Sequence, residues 1–147
     1  MIRISTKGRY GTRLMLALAV NYGKNPILLK EIARQEDISE GYLQHIVDTL
    51  KGAGLVYSNR VGHGGYTLAK PPSDINLRDI LSTLEGSINL VECVETPDVC
   101  GRSGSCVTRD IWEEVSGKLT ETLEAVTLQN MVERRSVKSG SCESYEI

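Results

Sequence analysis

The strongest constraint on this chain lies between Leu29 and Lys51, where two helical patterns meet within a few residues. Leu29, Ile32 and Ala33 form the inner face of a short helix ending near Glu36. Ser39 then stands where an N-cap belongs, and Glu40 falls in the next helix's first turn, where a carboxylate suits the helix dipole. Leu43, Ile46, Val47 and Leu50 repeat at i, i+3, i+4 and i+7, and Gly52 and Gly54 close the pattern. Short helix, tight turn and longer amphipathic helix make a helix-turn-helix.

The flanking segments extend this unit. Lys7 to Tyr22 reads as a helix with Tyr10, Leu14, Ala17 and Leu18 in one stripe, ended by Gly23-Lys24-Asn25-Pro26. After Leu55 the period changes to two. Val56 and Ser58 alternate, Gly62-His63-Gly64-Gly65 turns the chain, and Tyr66-Thr67-Leu68 returns. A hairpin directly after a helix-turn-helix is a wing. Pro71-Pro72 stops the strand, and Asn76 caps a helix bearing Leu77, Ile80, Leu81 and Leu84. Residues 1–86 are therefore expected to form a winged helix-turn-helix domain, mainly α with a small β-hairpin, its wing at about 55–69.

Beyond Gly86 the pattern changes twice. Residues 87–107 read as an irregular loop carrying Cys93, Cys100 and Cys106. From Thr108 to Val126 a helical period returns through Ile111, Trp112, Val115, Leu119, Thr122, Leu123 and Val126. That stripe runs about five turns and is long for one helix leaving a small domain, so a homodimer is expected to bury it. The alternative is that it folds back on its own domain. Residues 108–134 are expected to hold this dimerisation helix and a short last helix, and 135–147 a frayed tail.

Charge divides the chain. Residues 1–70 hold ten Lys/Arg against five Asp/Glu, and residues 71–147 hold seven against fourteen. The front half is net basic and the back half acidic, so the front is the part suited to a polyanion. On the second helix of the motif, the face opposite the buried positions carries Glu40, Gln44, Asp48 and Lys51, with Tyr42 and His45 beside it. Gln44 can pair with adenine, and Ser39 and Tyr42 can donate to phosphate. Lys7, Arg9 and Arg13 open the first helix and suit backbone contacts, and Arg60 sits on the wing, where an arginine can enter a narrow minor groove. A plain solvated face accounts for several of these charges equally well. His45 and His63 read as surface side chains.

Other classes fit poorly. Apolar residues make up 40% and charged residues 24%, a globular balance with an aliphatic core, since there is no Phe. The longest apolar run, Leu14 to Val20, is far short of the roughly 20 residues of a membrane span, and the first residues lack a signal-peptide stretch. A cytoplasmic protein is expected. No Ser/His/Asp set, P-loop or dinucleotide fingerprint appears, so an enzyme and a small-molecule substrate are not expected.

The cysteines are spaced C-x6-C-x5-C, with Cys142 apart in the tail. Structural disulfides are disfavoured in a cytosolic chain. Thiolates at close range suit an iron–sulfur cluster or zinc, although zinc favours tighter pairs. On spacing alone, three uncommitted thiols stand beside the cluster as a reading. Direct thiol oxidation, or an iron–sulfur carrier that binds no specific DNA, are the alternatives in function.

These motifs together resemble a family. Ser5-Thr6-Lys7-Gly8-Arg9-Tyr10-Gly11, Ile38-Ser39-Glu40-Gly41-Tyr42-Leu43, Gly54-Leu55-Val56, Arg60 with Gly64-Gly65-Tyr66-Thr67-Leu68, and Thr127-Leu128 are similar to the bacterial winged-helix transcription regulators that include IscR, NsrR and CymR. The likeness covers about residues 1–134. It implies a homodimer on a palindromic operator, one recognition helix per subunit in the groove. It places a base-reading role on Gln44, where the IscR type has Glu, and a minor-groove role on Arg60; Gly65 joins the DNA-binding set with the wing. It also implies an iron–sulfur cluster on Cys93, Cys100 and Cys106, with [2Fe–2S] ahead of [4Fe–4S], because the cluster-binding members use three cysteines in this loop. The cysteine-metabolism type lacks them. In the IscR type a His follows the last cysteine by three residues. Here that position is Arg109, so the fourth ligand is open, with Asp110 first among Glu95, Asp98, Asp110, Cys142 and an external thiol.

Overall fold

The computed structural model describes residues 2–60, 62 and 64–143, with side chains to residue 140. His63, residues 144–147 and the Cys142 side chain lie outside what is described. Three helices open the chain: α1 (Thr6–Val20), α2 (Leu29–Glu36) and α3 (Glu40–Gly52). Ser5 caps α1 by accepting from the Gly8 N–H at 3.1 Å, and Ser39 caps α3 by accepting from the Tyr42 N–H at 3.2 Å. The tight turn between α2 and α3 depends on Asp37, which takes a left-handed conformation at φ 54° and ends α2. Ile38 then drops into the core, and its N–H donates to the Ala33 carbonyl.

The wing is an antiparallel pair, β1 (Val56–Ser58) and β2 (Tyr66–Leu68), with Val56 opposite Leu68 and Ser58 opposite Tyr66. The segment before α2 joins its other edge: the Tyr66 N–H donates to the Ile27 carbonyl at 2.8 Å, and the Ile27 N–H to the Tyr66 carbonyl at 3.1 Å. Gly65 makes this approach possible. Its φ is +115°, and a Cβ there would stand 2.8 Å from the Ile27 oxygen. A 3₁₀ turn (Pro72–Asp74) leads to α4 (Leu77–Glu85), which begins with a reciprocal capping box between Asn76 and Asp79. Helix α1 lies close against α4, because Gly8 and Gly11 present no side chain to Glu85 and Leu84. The core is aliphatic, with Leu14, Met15, Ile32, Leu43, Ile46, Leu50 and Ile80 fully buried.

The second half departs from expectation in three places. Residues 87–107 are not irregular throughout: they hold α5 (Glu92–Glu95) and a 3₁₀ turn (Pro97–Val99) before α6 (Val107–Ala125). The frayed tail is corrected over residues 135–143. Helix α7 runs from Leu128 to Glu143, because nothing after Arg134 breaks the backbone ladder even though the apolar period has ended. The domain core is likewise not confined to 1–86. The Leu77 N–H donates to Val126, the Leu128 N–H donates to Ile75, and Leu128 is completely buried among the α1–α4 core residues. Thr127 and Asn130 cap α7 reciprocally, and Met131 and Val132 pack against the same core.

The stripe on α6 divides. Its C-terminal half folds back beside α4, where Leu119, still 37% exposed, and Leu123 line one hollow with Leu81, and Arg78 pairs with Glu124. Ser116 is buried and accepts from the Leu90 N–H at 3.1 Å. The N-terminal half stays uncovered: Ile111 is 50%, Trp112 41% and Val115 44% exposed.

Candidate nucleic-acid interface and cysteine loop

Ser39, Glu40, Gln44, His45, Asp48 and Lys51 all lie exposed along the outer face of α3. On one side of α3, Arg3, Lys7, Arg9 and Tyr42 line a hollow of about 640 Å³. Tyr42 is half-buried, with its ring edge-on to Tyr10 at 5.9 Å, and the Arg9 guanidinium sits 5.7 Å from the Tyr10 centroid. Glu85 holds this corner in place, accepting from both the backbone N–H (3.0 Å) and the hydroxyl of Ser5. Three cations and a tyrosine lining one hollow suit a phosphate.

On the other side, Gln44, Lys51, Arg60, Gly65 and Tyr66 line a hollow of about 590 Å³ between α3 and the wing. Lys7, Arg9 and Tyr42 are thus gathered at one flank, and Gln44, Arg60 and Gly65 at the other. Ser39 and His45 stand on the face of α3, and Arg13 is turned away to pair with Glu36 at 3.5 Å. Gly65 owes its identity to the Ile27 approach, which needs no contact with DNA. The sequence reading missed Arg3 and Tyr66. The Tyr66 hydroxyl lies 3.2 Å from Gln44 Nε2, a contact across 22 residues that no local pattern announces.

The three loop cysteines are free thiols. Cys93 sits in α5 and is half-buried, Cys100 follows the 3₁₀ turn and is exposed, and Cys106 is the half-buried N-cap of α6. Ser103 braces the loop by donating to the Pro97 and Cys100 carbonyls at 2.6 and 2.9 Å. Arg109 clamps its two ends: Nε donates to the Cys93 carbonyl at 3.1 Å, and Nη1 lies 3.3 Å from Glu113 and 3.9 Å from Asp110. Cys106 is held below the ordinary thiol range. The Thr108 hydroxyl, 3.2 Å from its sulfur, is the main cause, followed by the backbone N–H of Arg109; burial pushes the other way.

Among the described residues, no three His, Cys, Asp or Glu side chains gather as a metal site. Asp110 instead faces Arg109, with its side chain 71% exposed. The donor set still suits iron–sulfur chemistry: three soft thiols share one loop and carry no disulfide or core-packing duty.

Comparison with known proteins converges on one group. Residues 4–134 match the Rrf2 family model, described as an iron-dependent transcriptional regulator. The chain is 38% identical to the HTH-type transcriptional regulator CymR of Bacillus subtilis (strain 168), over 98% of this chain and 97% of that one. The solved structure of CymR, titled as the global cysteine regulator of B. subtilis, aligns with a TM-score of 0.77 over 91% of this chain and 98% of that one. A solved structure titled T. potens IscR aligns with a TM-score of 0.75 at 37% identity, over 91% of this chain and 88% of that one. Among the described residues no helix is long and apolar enough to cross a membrane.

Proposed function

From the premise that this chain belongs to the Rrf2 family of transcriptional regulators, whose members bind DNA and form dimers, we propose a cytoplasmic regulator that senses iron–sulfur or redox status through its cysteine loop. One observation carries this reading. Three free thiols share a loop that joins the DNA-binding core to a helix whose apolar stripe is half uncovered.

The α3 face would enter the major groove of a palindromic operator, with Gln44 at the base edges and His45 beside it. Ser39, Tyr42, Lys7 and Arg9 would hold phosphate, and Arg60, with the wing turn at Gly65, would reach the minor groove. A second copy would cover Ile111, Trp112 and Val115 on α6. Cys93, Cys100 and Cys106 would hold an iron–sulfur cluster, [2Fe–2S] ahead of [4Fe–4S]. Bound there, such a cluster supplies a redox-active centre open to ligand exchange. Arg109 is a poor fourth ligand, since a guanidinium is a donor without an acceptor and this one already holds the Cys93 carbonyl. Asp110 reaches that role only by leaving Arg109. The chain's own contribution is mechanical: Arg109 couples α5 to the first turn of α6, so a change in the loop bears on that helix. Signalling then requires that the two loop states differ in DNA affinity.

The test is iron and acid-labile sulfide per subunit, with a visible spectrum, on protein purified without oxygen. Stoichiometric iron and sulfide that vanish in Cys100→Ala, with the far-UV spectrum retained, are expected. Unchanged iron in Cys100→Ala refutes the ligand assignment.

A second reading has its own support. The lowered Cys106 thiol and the likeness to a cysteine regulator favour direct thiol sensing without a cluster. It predicts colourless protein that takes up no iron on reconstitution and loses DNA affinity on reversible oxidation.

A further inference from the structure

Asp48 is an acid on the face assigned to DNA, where a carboxylate repels phosphate. Its partner accounts for it. Asp48 Oδ1 accepts from Gln44 Nε2 at 2.9 Å, a pair spaced i, i+4 on α3. An ionised carboxylate only accepts, so this bond sets which end of the Gln44 amide faces Asp48. The same nitrogen lies 3.2 Å from the Tyr66 hydroxyl, which reaches over from the wing. The amide has two N–H donors. Asp48 takes one and the Tyr66 oxygen takes the other. The hydroxyl lies 3.4 Å from Gln44 Oε1, long for an O–H···O bond, which leaves that carbonyl oxygen with accepting capacity to spare.

We propose that Asp48 and Tyr66 lock Gln44 as an acceptor-only reader of a base's exocyclic amine, which makes Tyr66 a specificity-determining residue. The proposal rests on the reading that α3 enters the major groove. An unlocked Gln grips adenine twice, donating to N7 and accepting from N6. A locked one has no donor for N7. It meets only an amine, N6 of adenine or N4 of cytosine, as a glutamate carboxylate does. The wing thus makes a glutamine read like a glutamate.

The experiment is selection from a randomised duplex library with the full chain, comparing the parent protein with Tyr66→Phe, Asp48→Ala, Gln44→Glu and Gln44→Ala. At one position of each half-site the parent and Gln44→Glu are expected to enrich the same amine-bearing bases, cytosine included. Tyr66→Phe removes only the hydroxyl and frees the second N–H. It is expected to shift that position toward adenine by about tenfold, the scale of a gained bidentate pair. Asp48→Ala, which removes the acceptor and leaves the wing untouched, is expected to shift it the same way. Gln44→Ala is expected to erase the preference. If Tyr66→Phe and Asp48→Ala both keep the parent preference while Gln44→Ala erases it, the lock is wrong. A parent that takes adenine over cytosine tenfold also overturns it. If Gln44→Ala changes no position, the base-reading role itself is wrong.

Discussion

Replacing Leu128 by alanine tests whether the chain really re-enters its own DNA-binding core after α6. Leu128 is completely buried, and its N–H is fixed to the Ile75 carbonyl at 2.9 Å. Truncation to alanine leaves a void in a core that has no reason to collapse around it. Lost transfer energy amounts to about 2.4 kcal/mol for the carbons removed, at roughly 0.8 kcal/mol each. Adding the cavity term brings the expected cost to about 3–4 kcal/mol, within the roughly 2–5 kcal/mol range of such substitutions. At about 2–4 °C per kcal/mol for a chain of this size, the Tm should fall by roughly 6–16 °C. Thermal and urea unfolding would be followed by far-UV circular dichroism at fixed protein concentration, since association adds to apparent stability. Val137→Ala is the control. It lies on the same helix at 71% exposure and should stay within about 0.5 kcal/mol of the parent. A Leu128→Ala protein as stable as that control would refute the shared core.

Two further outcomes follow from the interface and the loop. Arg60→Ala should weaken DNA binding and lower the salt slope of the binding constant by about one, since a cation in the minor groove also displaces counterions, read by fluorescence anisotropy across salt concentrations; unchanged affinity and slope remove Arg60 from the interface. The Cys106 thiolate is favoured by Thr108 and the first-turn amides, so apo protein should alkylate at Cys106 down to lower pH than the urea-unfolded chain does. The stability from this depressed pKa is present above the unfolded thiol's pKa and lost as pH falls through the folded one. Thr108→Val should move the alkylation midpoint upward, and mass spectrometry showing no movement would exclude the hydroxyl as the cause.

What was legible in the sequence was local. Ser39, Asn76 and the apolar repeats placed α3 and α4 because caps and periodicity act within a turn or two. The glycine cluster placed the wing for the same reason. What was not legible joins residues far apart. Glu85 holds Ser5 across 80 residues, and Tyr66 reaches Gln44 from another element. Leu128 reads as an ordinary first-turn leucine until Thr127 is paired with Asn76. The extent of α7 was missed because exposed helix carries no apolar period. Arg109 could be read as a poor ligand, but its grip on the Cys93 carbonyl depends on a loop conformation that residue types do not encode.

The return at Leu128 also makes α6 a cantilever. Val126 is tied beside Leu77 at the start of α4, and the chain leaves at the other end of that helix, so the support is only about 13 Å long. Helix α6 has 19 residues and runs roughly 28 Å, twice the length of its support. Its inner half rests on α4, the Ser116–Leu90 hydrogen bond lies near the edge, and the overhanging half ends in Cys106. A sideways load at that thiol therefore acts through an arm of about 15 Å around Ser116. On the sensing role proposed above, chemistry confined to one sulfur atom would reach the DNA-binding core as a torque on α4.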